Sequence, residues 1–156
     1  MRITLLAVGR VMPSAIRELV EEYRERLNHF VPARLESVAE EKRDKGITSA
    51  LALEREAQRL RSRIPPGALV VALDGAGRML SSVEFSRQMD HWLQASHSEA
   101  FFLIGGPDGL DPSIKAASAF TLSLGSMTYP HMLARVMLLE QLYRAMTLLR
   151  GVPYHR

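Results

Sequence analysis

Three glycines in five positions follow an apolar run in this chain: Ala100-Phe101-Phe102-Leu103-Ile104 leads into Gly105-Gly106-Pro107-Asp108-Gly109-Leu110. A buried strand ending in residues without side chains lets another molecule approach the backbone, which is the chemistry of a ligand site. A phosphate cradle would need several backbone N–H groups aimed at the anion. Pro107 has none, and Asp108 brings negative charge to the same place. The full dinucleotide fingerprint and the lysine of a P-loop are both missing. The loop therefore suits a ligand of little or positive charge, or is simply a tight strand-to-helix turn.

The second group with chemical capacity is the C-terminal run Gly151-Val152-Pro153-Tyr154-His155-Arg156, which gathers a phenol, an imidazole and a guanidinium. On composition alone the solvated end is the favoured reading, because termini are usually frayed. His29, His91, His97, His131 and His155 lack the close spacing of metal ligands, so no metal site is expected. With no cysteine, thiolate sites, disulfides and a cysteine nucleophile are excluded. Gly-x-Ser-x-Gly is absent as well. The net charge of +3 is only mildly basic, but Arg135, Arg144, Arg150 and Arg156 follow His131 against the single acid Glu140. Lys42, Arg43 and Lys45 form a second basic cluster, in a polar loop. Both clusters fit either a nucleic-acid contact or a solvated surface.

The elements that must position these groups alternate between strand and helix. Arg2–Val8 is a short apolar strand, and Pro13 suits the start of a helix whose Ile16, Leu19, Val20, Tyr23, Leu27 and Phe30 share one side. Residues 34–39 make a second strand, and Leu53, Ala57, Leu60 and Ile64 mark a second helix ended by Pro65-Pro66-Gly67. Residues 68–73 are apolar throughout, as in a parallel strand buried on both faces, and Asp74-Gly75-Ala76-Gly77 is expected to end them. Ser81 and Glu84 form a capping box, and Asp111-Pro112 opens a short helix. Residues 120–124 are the last strand, before a final helix to about Arg150 that is apolar around most of its circumference. Such a helix is either deeply buried or meets a second subunit. The pattern predicts an α/β fold with a mainly parallel sheet and helices on both faces.

Three strands end in small or polar residues, at Leu73-Asp74-Gly75, Ile104-Gly105-Gly106 and Leu124-Gly125-Ser126. Parallel strands would bring these loops to one edge, as a slot lined by backbone and aliphatic carbon for a flat heterocycle. The run from Ile3 to Val8 is too short for a signal-peptide core or a membrane span, so a soluble cytoplasmic protein without membrane association is expected.

Four separated motifs carry a family resemblance: Ile104–Leu110, Leu124-Gly125-Ser126-Met127-Thr128-Tyr129-Pro130-His131, Leu142-Tyr143-Arg144-Ala145 and Pro153-Tyr154-His155-Arg156. Together with Ala7-Val8-Gly9, Met12-Pro13 and Lys42-Arg43, they resemble the RlmH family of ribosomal RNA methyltransferases from end to end. The resemblance implies one SPOUT-type α/β domain over residues 1–156, with a C-terminal trefoil knot, working as a homodimer. It implies methyl transfer from S-adenosyl-L-methionine to N3 of a pseudouridine in large-subunit ribosomal RNA, on the assembled ribosome. Carried over by motif, the cofactor residues are Leu73, Gly105, Gly106, Leu124, Gly125, Ser126, Met127, Thr128 and Tyr129. The catalytic candidates are His155 as base, Arg144 and Arg156 as cationic holders of phosphate or imide oxygens, and Tyr154 as the group that orients the base. The tail of one subunit would complete the slot of the other, and the loop at Lys42 would touch RNA phosphates. Two other classes share these features: an RNA-binding relative without turnover, and a flavodoxin-like enzyme of small metabolites.

Overall fold

The computed structural model describes residues 1–44 and 46–155; Lys45 of the basic loop and Arg156 of the tail lie outside the described residues. Strands and helices alternate without exception. They are β1 (Arg2–Val8), α1 (Ser14–Asn28), β2 (Ala33–Val38), α2 (Ser49–Arg61), β3 (Leu69–Met79), α3 (Ser82–Gln94), β4 (Glu99–Ile104), α4 (Pro112–Ala117), β5 (Phe120–Ser123) and α5 (His131–Leu149). The strands form one sheet in the order β2-β1-β4-β3-β5, and every neighbouring pair is parallel.

The period-2 pattern of the strands divides the core between two faces. Ile3, Leu5 and Ala7 of β1, with Ala100, Phe102 and Ile104 of β4, pack in the cluster that holds α1, α3 and α5. Leu6, Val8, Phe101 and Leu103 point the other way, to Ala57 and Leu60 of α2 and Ile114 of α4. Both central strands are therefore apolar on both sides, as a sheet covered by helices requires. Trp92 meets Phe85, Phe102 and Phe120 edge-on, with ring centroids 5.5–6.4 Å apart.

Much of the apolar surface of helix α5 is buried within the chain. It is flanked by α1 and α3, and Arg135, Leu138, Leu139, Leu142, Ala145, Met146 and Thr147 are buried. Leu133 remains exposed. Two helix starts match their sequence signatures. Ser81 and Glu84 form the reciprocal capping box, and the Asp111 side chain accepts from the Ser113 N–H.

One expected boundary is wrong. Residues 74–77 do not end β3; it continues to Met79, with a register shift between Leu73 and Arg78 against β5. The reason is close approach of two backbones. A Cβ on Gly77 would stand 2.8 Å from the Leu122 carbonyl carbon and the Thr121 oxygen, so only glycine lets the strand recover its partner there.

Trp92→Ala empties the centre of the α3 aromatic cluster. We expect it to lower unfolding free energy by about 3–5 kcal/mol in a urea titration.

Candidate active site

Strands β4, β3 and β5 are adjacent, so the three small-residue segments read from the sequence, two of them loops and the one after Leu73 an irregular stretch of β3, lie on neighbouring strands. Ala72 pairs with Leu103 and Leu73 with Leu122, which brings Leu73 level with the end of β5 and near the end of β4. Gly105 and Gly106 are buried at the end of β4. A Cβ on Gly105 would stand 2.1 Å from the Gly109 carbonyl oxygen, so the loop folds back onto its own start with no room for a side chain. The Gly109 N–H closes the turn on the Gly106 carbonyl at 3.0 Å, with Gly109 at φ +81°.

Polar contacts pin the other two segments. Asp74 receives Lys115 Nζ of α4 at 2.8 Å and the Ala76 N–H at 2.9 Å. The lysine contact, aided by the backbone donor, outweighs partial burial and holds this carboxyl below its usual range. Ser123 Oγ lies 3.2 Å from the Gly75 carbonyl and accepts the Gly125 N–H, which ties the irregular part of β3 to the loop after β5. Leu124 and Gly125 are half-buried, whereas Ser126, Met127, Thr128 and Tyr129 are exposed.

Beside these loops, a cavity of about 520 Å³ opens between α5, the start of α3 and the end of β5. Its walls include Leu122, Ser123 and Leu124 together with Leu80, Val136 and Met137, and its polar lining includes Ser81, Glu140 and Gln141. Of the residues read as cofactor-binding, only Leu124 lines it.

The tail is packed on α5. Tyr154 stands edge-on to Tyr143 at 4.8 Å, under the Arg144 guanidinium at 4.6 Å, and donates to Glu140 Oε1 at 3.1 Å. Arg144 Nε donates to the same oxygen at 2.9 Å, and Gln141 Nε2 donates to Glu140 Oε2 at 2.7 Å. Burial, the Tyr23 hydroxyl and the Glu140 charge push the Tyr154 phenol far above its normal pKa, so it remains a neutral donor. The Glu140 contact likewise holds Arg144 charged. His155 is exposed, with Nδ1 3.3 Å from Arg144 Nη1. The structure thus brings together Arg144, Tyr154 and His155.

Glu140 is the residue that the sequence reading missed. It organises the tail and lines the cavity, yet in the sequence it is one acid in a basic stretch. The only signal was its i, i+4 spacing to Arg144.

The basic clusters are less free than their composition suggests. Arg135 is 2% exposed and donates through Nη2 to the carbonyls of Val8 and Gly9 at 2.7 and 2.8 Å, tying α5 to the end of β1. Arg43 is engaged by Glu56 and Asp108, and Asp108 is correspondingly paired rather than a free negative charge at the glycine loop. Among the described residues, no three His, Asp or Glu side chains converge to hold a metal. Among them too, no helix is long and apolar enough to cross a membrane.

A parallel sheet covered by helices on both faces, with a cavity beside the carboxyl end of β5, defines the class, a layered α/β protein. The family model described as "Predicted SPOUT methyltransferase" matches residues 1–155, and the chain belongs to that family. A ribosomal RNA large subunit methyltransferase H of Rhodospirillum centenum is 45% identical, covering 100% of this chain and 99% of the relative. The protein of that name from Thioalkalivibrio sulfidiphilus is 43% identical with the same coverage. A solved structure described as a "probable methylase family protein" from Haemophilus influenzae Rd KW20 superposes with a TM-score of 0.53 at 11% identity. It covers 99% of this chain and 70% of that one, and shows likeness of fold.

Gly105→Ala should cost about 1–3 kcal/mol or more by overpacking, read from the urea midpoint. Gly75→Ala, with nothing within 4 Å of the added carbon, should change stability by no more than about 0.5 kcal/mol. The lowered Asp74 pKa gives a pH dependence of definite sign. Its contribution is complete above the unfolded value of about 3.9 and is lost as pH falls through the lower folded value. Asp74→Asn should flatten the stability profile in that acidic window and leave its shape near neutrality unchanged.

Proposed function

We propose that this chain is a homodimeric, S-adenosyl-L-methionine-dependent methyltransferase that acts in the cytoplasm on N3 of a pseudouridine in large-subunit ribosomal RNA, within the ribosome. The observation that carries the reading is the meeting of two motif groups at one place. The end of β5, through Leu122, Ser123 and Leu124, borders a cavity whose wall, Glu140, also holds the Arg144–Tyr154 tail. Full-length likeness to proteins named ribosomal RNA large subunit methyltransferase H supports the substrate class.

The residues present fit the cofactor. The cavity of about 520 Å³ is within the range of small-molecule sites, and its aliphatic walls suit a flat heterocycle. Gly105, which has no room for a Cβ, leaves backbone rather than side chain facing the edge. Leu73, Gly105 and Gly106, and Leu124 to Tyr129 would hold S-adenosyl-L-methionine, chiefly through main-chain groups. When bound, it supplies a methyl group already activated on a sulfonium, so no metal is required.

The chain's own task is then positioning and proton handling. The acceptor N3 carries an imide proton, and His155 is the base proposed to take it. Arg144 and Arg156 would stabilise the negative charge that develops on the imide oxygens. Tyr154, held as a neutral phenol, would orient or stack against the base. Glu140 fixes Arg144 and Tyr154 relative to one another.

We read residues 1–156 as one domain, with a trefoil knot in the C-terminal part as in the family it resembles. Dimerisation would set the tail of one subunit at the slot of its partner. Apolar side chains left at the surface of neighbouring helices, Leu19 of α1 and Leu133 of α5, support a second copy packing there.

Calorimetry should detect S-adenosyl-L-methionine at micromolar concentration, and ribosomes lacking the modification should gain one methyl group at a pseudouridine by mass spectrometry. Deleting residues 154–156 should lower that methylation about 100-fold or more with cofactor affinity retained. Normal methylation by the truncated chain would remove the tail from the mechanism. A monomer with full activity in sedimentation and assay would defeat the composite site.

A further inference from the structure

The charged segment before α2 has no place in the proposed mechanism, although its contacts reach the glycine loop. Arg43 Nη1 donates to Glu56 Oε1 at 2.7 Å and to the Glu41 carbonyl at 2.5 Å. Its Nε and Nη2 donate to Asp108 Oδ2 at 3.1 and 2.9 Å. An arginine has five N–H donors, and these contacts occupy four of them. Little of this guanidinium is left for an RNA phosphate.

The anchor at the other end is fixed. Glu56 is 2% exposed on α2, and its Oε1 also accepts the Glu41 N–H at 2.8 Å. Its second oxygen has no partner and lies 3.7 Å from where a Cβ on Gly106 would stand. The buried carboxylate therefore sits directly against the glycine loop, while Arg43 links it to Asp108 at the tip of that loop. Glu41 is itself held by Arg55 and Arg59 of α2, so the segment carrying Arg43 is tied to a helix at two points.

We propose that Arg43 is a positioning residue for the Gly105–Gly109 loop: by clasping Asp108 to the buried Glu56, it holds the Gly105–Gly106 backbone in the conformation that receives S-adenosyl-L-methionine. The inference rests on the reading of that loop as a cofactor wall. It assigns the Arg43 charge to the interior of the subunit rather than to ribosomal RNA. An arginine is needed because its planar fork spans two carboxylates at once, which an ammonium group cannot reproduce.

Asp108→Asn is the clean variant, since it weakens the clasp and leaves the Arg43–Glu56 pair intact. In the full chain without ligand, the Gly109 amide should exchange with solvent about tenfold faster than in the wild type. Calorimetry should show S-adenosyl-L-methionine binding weakened about tenfold. The KM for the cofactor should rise, with kcat at saturation little changed. Arg43→Lys should reproduce these changes, and neither variant should alter the salt dependence of ribosome binding, because no phosphate contact is lost. If the wild type binds the cofactor and Asp108→Asn binds it equally well, with unchanged amide exchange, the positioning role is overturned while the cofactor reading stands. A weaker, less salt-dependent ribosome interaction in Arg43→Lys, with cofactor affinity intact, would also overturn it and make Arg43 an RNA contact. Failure of the wild type to bind the cofactor would overturn both readings.

Discussion

All five strands run in the same direction, and the site depends on that polarity. A parallel sheet places every carboxyl end on one edge, and the order β2-β1-β4-β3-β5 makes the ends of β4, β3 and β5 neighbours. Loops separated by roughly thirty or fifty residues of chain thereby become walls of one region. Parallel strands require crossovers, and here the crossover helices cover both faces and keep the central strands dry. The terminal helix α5, which follows the last strand, returns over the sheet between α1 and α3 and carries Glu140 and, with it, Arg144 beside the end of β5.

Several charges in this protein fix its backbone segments in place. Lys115 pins Asp74, Arg43 clasps Asp108 and Glu56, and the buried Arg135 ties α5 to the end of β1. Partly buried pairs of this kind gain less from attraction than they would lose if one partner were left alone, so they act mainly as devices of geometry. The mildly basic composition therefore says little about how much cation is presented to RNA. Arg144 follows the same rule on the tail side. Its charge is directed by Glu140 rather than left to solvent.

Much of the architecture was legible because its physical signals are local. The apolar runs at 68–73 and 100–104, the capping box at Ser81 and Glu84, and the Asp111-Pro112 start each require only a few residues in sequence. The end of β3 was misread because a glycine-rich segment has the composition of a turn. Gly77 instead permits contact with the Leu122 backbone, which no window of sequence contains. The apolar circumference of α5 was likewise legible, but its cause, two flanking helices and the sheet beneath, belongs to packing.

By itself the sequence determined the alternation of strands and helices, the small-residue ends of β4 and β5, the reactive groups of the tail and, through its ordered motifs, the family. These are properties of residue type and spacing, which local sterics and hydrophobic periodicity translate directly. Tertiary structure decided which charges are free. Asp108 reads as a repellent of anions in the sequence and is an anchor in the fold, because Arg43 arrives from 65 positions away. Glu140 reads as a stray acid and is the hinge between cavity and tail. Side-chain partners that distant are chosen by the path of the backbone through space, and only the folded sheet sets that path.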